Sequence, residues 1–116
     1  MHELSIAQNI IEIVKDHVEK LHASRVTEVE LDIGTISGVI PETLEFALDI
    51  AVKNTIMEGA KIKMNIFHAK AKCLSCEKDF EMEDIYTMCP HCSSMQYDVI
   101  QGKELKVKSI KFEDNS

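Results

Sequence analysis

The chain has 116 residues, 45% hydrophobic and 28% charged, with a formal charge of −7, the balance of one globular unit or of a small domain with an appendage. No stretch approaches the roughly 20 apolar residues that span a bilayer, and the opening Met1-His2-Glu3-Leu4 lacks the basic region of a signal peptide. A cytoplasmic protein is expected, in which thiols stay reduced and cysteine pairs point to metal before disulfides.

Residues 4–22 predict an amphipathic helix. Leu4, Ala7, Ile11, Val14, Val18 and Leu21 recur at spacings of three and four, and Ile6, Ile10 and Ile13 widen the stripe. From Arg25 to Gly34 the period changes to two. Val29, Leu31 and Ile33 alternate with Glu28, Glu30 and Asp32, the pattern of a half-buried strand. Gly34 and Gly38 bracket a loop, and Pro41 suits the first turn of a second helix. Leu44, Ala47, Leu48 and Ala51 give that helix an apolar face, with an end expected near Asn54. Ile62, Met64 and Ile66 alternate again as a second strand, and His68 continues their parity, which predicts a place at the border of the packed face.

Residues 70–101 differ. They hold all four cysteines and almost no aliphatic periodicity. So short a segment cannot bury enough apolar surface to stand alone, so it needs a staple such as a metal. After Gly102, Leu105 and Val107 alternate with Glu104, Lys106 and Lys108, while Ile110 and Phe112 break the parity and predict a bulge near Ser109. This third strand should return to the first sheet, and it could also pair across subunits in a homodimer. The tail Glu113–Ser116 is expected to fray. The fold expected is α+β: two helices packed on a three-stranded sheet formed by 1–69 plus 102–116, with 70–101 inserted as a zinc ribbon.

Cys73 and Cys76, then Cys89 and Cys92, form two Cys-x2-Cys pairs separated by twelve residues. Each pair sets two thiolates on one tight loop, and two loops close a tetrahedron around zinc. A closed set of four thiolates leaves no position for substrate, so the metal is structural. A rubredoxin-like iron site uses the same ligands, but such loops place glycine after the second cysteine, where Glu77 and Ser93 stand here. His91 lies between Cys89 and Cys92 and is read as an exposed loop residue; substituting for a thiolate or bonding to one is the alternative. His17 and His22 are read as solvated. Residues 70–101 carry three basic and six acidic side chains, and the most basic segment, 102–116, reaches only +1. This argues against nucleic acid. No nucleophile–base pair or phosphate-cradling glycine loop is present, so no enzyme is expected.

The Met1 amine with the His2 amide and imidazole can chelate one metal, with Glu3 as a further ligand. A nitrogen-rich planar set favours Ni(II) or Cu(II) over zinc. Met1-His2-Glu3, Ser5-Ile6-Ala7, Ile33-Gly34-x2-Ser37-Gly38 followed by Pro41-Glu42, the two cysteine pairs, and Gly102-x-Glu104-Leu105 together resemble the HypA/HybF family of nickel metallochaperones. The resemblance spans essentially the whole chain. It implies Ni(II) delivery to the large-subunit precursor of nickel-iron hydrogenase, together with the maturation GTPase HypB, and in some organisms service to urease accessory proteins. It makes His2 the principal nickel ligand, Glu3 a ligand or its orienter, Glu42 a weaker candidate, and Cys73, Cys76, Cys89 and Cys92 the zinc ligands. A zinc-ribbon protein-interaction module without nickel chemistry is the alternative.

Overall fold

The computed structural model describes residues 2–114, with side chains from Glu3 to Glu113. The first helix, α1 (His2–Glu19), starts two residues earlier and stops three earlier than its periodicity predicts. Its end is set by His22, which takes a left-handed φ of 56°. The N–H groups of Leu21 and His22 donate to the Val18 and Glu19 carbonyls at 3.0 and 3.2 Å, which tightens the last turn. Leu21 thereby leaves the apolar stripe and is exposed, as is Ile13 on its flank, while Ala7, Ile10, Ile11, Val14 and Val18 are buried.

β1 (Ala23–Gly34) buries Val29, Leu31 and Ile33 under the helices. Pro41 opens α2 (Pro41–Ala51), and the preceding Ile40 is extended, its carbonyl accepting the Leu44 N–H at 3.0 Å. α2 ends at Ala51 and not at Asn54, because Asn54 sits at a φ of 65° in the turns that follow. Those turns fold inward: the Thr55 hydroxyl caps the Met57 N–H at 3.1 Å, Ile56 accepts from the Val26 N–H, and Met57 is fully buried. Leu44, Ala47 and Leu48 close the core from α2.

β2 (Lys61–Phe67) runs parallel to β1. β3 (Lys70–Cys73), β4 (Asp79–Glu81) and β5 (Tyr97–Gln101) make an antiparallel sheet of their own, in the order β4-β3-β5. β6 (Leu105–Asp114) then returns antiparallel to β1, completing the sheet β2-β1-β6. The expected bulge is present: Glu30 pairs with Ser109 and Leu31 with Val107, which leaves Lys108 as the extra residue. Two further shifts fall on β1, near Ser24 and Thr27. The strand runs further than the frayed tail expected from sequence. Glu113 is paired with Arg25, whose guanidinium donates to its carboxylate at 2.9 Å.

The face of this sheet away from the helices is a column of carboxylates flanked by bases. Glu28 pairs with Lys111 at 3.2 Å and Glu30 with Lys108 at 3.6 Å. The third member departs from a simple polar face: Asp32 is buried. The Asn65 amide donates to both Glu30 and Asp32, at 2.6 and 3.0 Å, which satisfies the buried carboxylate. His68 is exposed, contrary to its predicted parity, because the strand ends at Phe67.

The two sheets meet at two glycines. A Cβ on Gly34 would lie 1.9 Å from the Gly102 carbonyl oxygen, and one on Gly102 would lie 2.5 Å from the Ala69 Cα. This close approach lets the Ile36 N–H donate to the Gly102 carbonyl at 2.9 Å and the Gly34 N–H to the Glu104 carbonyl at 2.7 Å. The Thr35 hydroxyl accepts from the Ala69 N–H, and the Glu104 carboxylate from the Gly102 N–H. Among the described residues no helix is long and apolar enough to cross a membrane.

Candidate metal centre

β3 ends at Cys73, and the chain turns back at once. The Glu77 N–H donates to the Cys73 carbonyl at 3.0 Å, and the Cys73 N–H to the Lys78 carbonyl at 3.0 Å. The second pair repeats the arrangement: Ser93 N–H to the Cys89 carbonyl at 2.7 Å, and Cys89 N–H to the Ser94 carbonyl at 2.9 Å. Two equivalent loops thus face one another. Each turns at the residue after its second cysteine, with φ of 62° at Glu77 and 63° at Ser93. Non-glycine residues are disfavoured there by roughly 1–2 kcal/mol. The missing glycines therefore do not separate a zinc loop from an iron one, because the backbone takes the glycine shape without them. Sequence marks both as positions where comparable loops place glycine, but the residue types present do not show that the backbone keeps that shape.

All four cysteines are free, and their sulfurs lie within 4.8 Å of one another. Cys73 and Cys92 are 3.5 Å apart at sulfur, and Cys76 and Cys89 are 3.7 Å apart. Zinc–sulfur bonds of about 2.3 Å in a tetrahedron require sulfurs about 3.8 Å apart, which these two separations approach. Cys73 and Cys89 are buried, Cys76 is half-buried and Cys92 is exposed.

The thiols do not ionise alike. The Cys76 N–H points at the Cys73 sulfur from 3.5 Å and, against the effect of burial, brings that thiol down to about 6. The neighbours then face a thiolate. At Cys92 the Ser94 N–H lowers the pKa, but Cys73, burial and Cys89 outweigh it and push the thiol up to about 12. Cys76 is also raised: the Lys78 N–H is outweighed by burial and the flanking Cys73 and Cys89. Gathering thiolates this closely is unfavourable unless a cation neutralises them. The spacing suits a metal ion, and the cluster is of the zinc-site type.

Among the described residues, these cysteines are the sole group of three or more His, Cys, Asp or Glu placed to hold a metal. His91, His17 and His22 are all exposed. Glu3 is half-buried in the first turn of α1 and lines a groove of about 260 Å³ with Leu4, Thr43, Phe46, Ala47 and Ile50. Glu42 is exposed in the first turn of α2 and does not line that groove. Met1 and the His2 side chain lie outside the described residues, so the nickel ligand expected at His2 rests on its backbone position alone.

Comparison with known proteins places this arrangement. Residues 1–112 match the family profile described as HypA, hydrogenase/urease nickel incorporation, metallochaperone. A hydrogenase maturation factor HypA from Parabacteroides distasonis is 46% identical over 110 residues, covering 95% of this chain and 96% of its own. One from Francisella philomiragia is 38% identical over 112 residues, covering 97% and 99%. The solution structure of the Ni metallochaperone HypA from Helicobacter pylori shares the fold, with a TM-score of 0.69 at 20% identity and coverage of 97% and 98%. This chain belongs to the HypA family of nickel-incorporating metallochaperones.

Proposed function

We propose that this chain carries Ni(II) at its start, through His2 and Glu3, for the maturation of nickel-iron hydrogenase. Cys73, Cys76, Cys89 and Cys92 hold a structural zinc ion. Residues 1–69 plus 102–116 form the nickel domain and 70–101 the zinc ribbon. The chain is a carrier and not an enzyme. It works in the cytoplasm, with HypB and the hydrogenase large-subunit precursor as partners and urease accessory proteins as a further destination.

The observation that carries the nickel assignment is the family match over residues 1–112, and α1 sets His2 and Glu3 in its first turn. The first four N–H groups of a helix have no partner within it. Deprotonating the His2 and Glu3 amides toward a metal therefore breaks no helical hydrogen bond. The positive end of the helix dipole opposes a cation there, and Glu3 in the first turn offsets it. A site so balanced holds nickel without enclosing it, which suits a cargo that must leave. Glu42 is a less favoured ligand, since it is exposed and does not line the groove that Glu3 lines.

The test is calorimetric titration of untagged protein with Ni(II). His2→Ala should lose at least roughly tenfold in affinity, about 1.4 kcal/mol, with zinc stoichiometry and fold retained. Undiminished nickel affinity in that variant would sink the assignment.

A further inference from the structure

The loop between β4 and the second cysteine pair is built to hold apolar side chains out in water. The Thr87 hydroxyl accepts the N–H groups of Glu83 and Asp84 at 3.1 and 3.2 Å. The Asp84 carboxylate accepts the Tyr86 N–H at 2.8 Å. The Tyr97 hydroxyl donates to the Ile85 carbonyl at 3.2 Å, tying the loop to β5. At the apex of this pinned turn Ile85 is 56% exposed and Tyr86 76%. Met88 and Met95 flank the Cys89–Ser94 hydrogen bond from either side, and they are 54% and 52% exposed. A fraying loop could turn such residues inward, but a hydrogen-bonded one keeps them presented. Clustered exposed apolar side chains of this kind mark interaction sites. Tyrosine and methionine are enriched in such surfaces, methionine because it adapts to the partner's shape.

Charge selects the partner. From Asp79 to Gly102 there is no lysine or arginine, while Asp79, Glu81, Glu83, Asp84 and Asp98 supply five carboxylates. Lys70 stands opposite Glu81, and Lys72 opposite Asp79 and Asp98, across the strands, so the excess negative charge falls on the loop itself, at Glu83 and Asp84, where it disfavours nucleic acid, anionic bilayers and a second copy of the same face. We propose that the apex formed by Ile85, Tyr86, Met88 and Met95 docks a protein segment that is both apolar and basic, of the Leu/Lys amphipathic kind. This surface goes beyond the nickel reading, and it belongs to the ribbon and not to the terminus where cargo sits.

The test uses the full chain, nitrogen-15 labelled, with its zinc content measured beforehand. It is titrated with a synthetic helical peptide of about 15 residues of Leu and Lys, and separately with a Leu/Glu peptide of the same pattern and a Ser/Lys peptide. Amide shifts should gather at residues 83–88 and 94–96, for the Leu/Lys peptide alone. Affinity should fall roughly tenfold in the double variant Ile85→Ser, Tyr86→Ser. It should fall several-fold between about 0.05 and about 0.3 M salt. The double variant should keep its zinc stoichiometry and the amide spectrum of β1, which separates lost docking from lost folding. Any of these results would overturn the proposal: no binding, equal binding of the Leu/Glu peptide, unchanged binding by the double variant, or shifts confined to the groove between α1 and α2. Binding of phosphatidylglycerol vesicles through the apex would overturn it in favour of a membrane. Self-association mapped to the apex would do so in favour of a second copy.

Discussion

The sheet β2-β1-β6 closes over Leu31, Ile33, Leu44, Leu48, Val14 and Met57, while β4-β3-β5 closes over Ala69, Ala71, Phe80, Met82 and two cysteines. Fully burying one large aliphatic side chain contributes about 1.5–3 kcal/mol. The first sheet therefore has its own source of cohesion, spread over two helices and three strands. The second has two large apolar side chains at its centre, with the Phe80 ring packed edge-on to Tyr97 at 5.4 Å. A metal at the four cysteines would supply what remains. In the proposed reading, the metal that makes structure is thus separate from the metal that is carried: the first would be caged by four sulfurs and the second held at His2 and Glu3.

Metal removal should break the comparison most strongly. Structural zinc contributes apparent binding energies of about 10–16 kcal/mol in small domains. After chelation, hydrogen exchange should show lost protection at Ala71, Cys73 and Val99, with Val29 and Leu31 still protected. Persistent protection in the ribbon without metal would show that its apolar core suffices.

A smaller effect is expected at the junction. Gly34→Ala drives a methyl group into the Gly102 carbonyl, and backbone on both sides must yield. A loss of about 1–3 kcal/mol in urea unfolding is expected, with altered amide shifts in both sheets. Shifts confined to the sheet of β1 would mean that the two units are not coupled there.

The smallest effect concerns the uncovered face of the first sheet. The Asn65 amide, then Ser109 and Lys108, hold the Glu30 carboxyl below its usual 4.5. A lowered folded-state pKa contributes stability above the unfolded value and loses it as pH falls through the folded one. Glu30→Gln should therefore flatten the acid limb of the stability curve below about pH 4.5, without moving the zinc-dependent transition. An unchanged acid limb would remove Glu30 from this account.

The elements were legible wherever one face is buried and the other wet. The alternation Val29, Leu31, Ile33 and the spacing of Ala7, Ile11, Val14 and Val18 identify their strand and helix directly. The cysteine pairs were legible because ligand chemistry demands that spacing. Asp32 reads as one more polar residue in an alternating strand, and only the register against Asn65 makes it buried. Met57 has no periodic neighbours, so its burial depends on how the turns after α2 fold back. Gly34 and Gly102 are far apart in sequence, and nothing local announces that each leaves room for the other unit. Glu77 and Ser93 take the left-handed shape that comparable loops give to glycine, against the preference of their residue types. The terminal site is the opposite case: motif and family point to His2, while the fold contributes only the position where the helix begins.

X-ray absorption at both metal edges of the same untagged, doubly loaded protein tests this division most directly. Sulfur scatterers alone are expected around zinc and nitrogen or oxygen scatterers alone around nickel. Sulfur in the nickel shell would place the cargo among Cys73, Cys76, Cys89 and Cys92 and contradict the separation of the two sites.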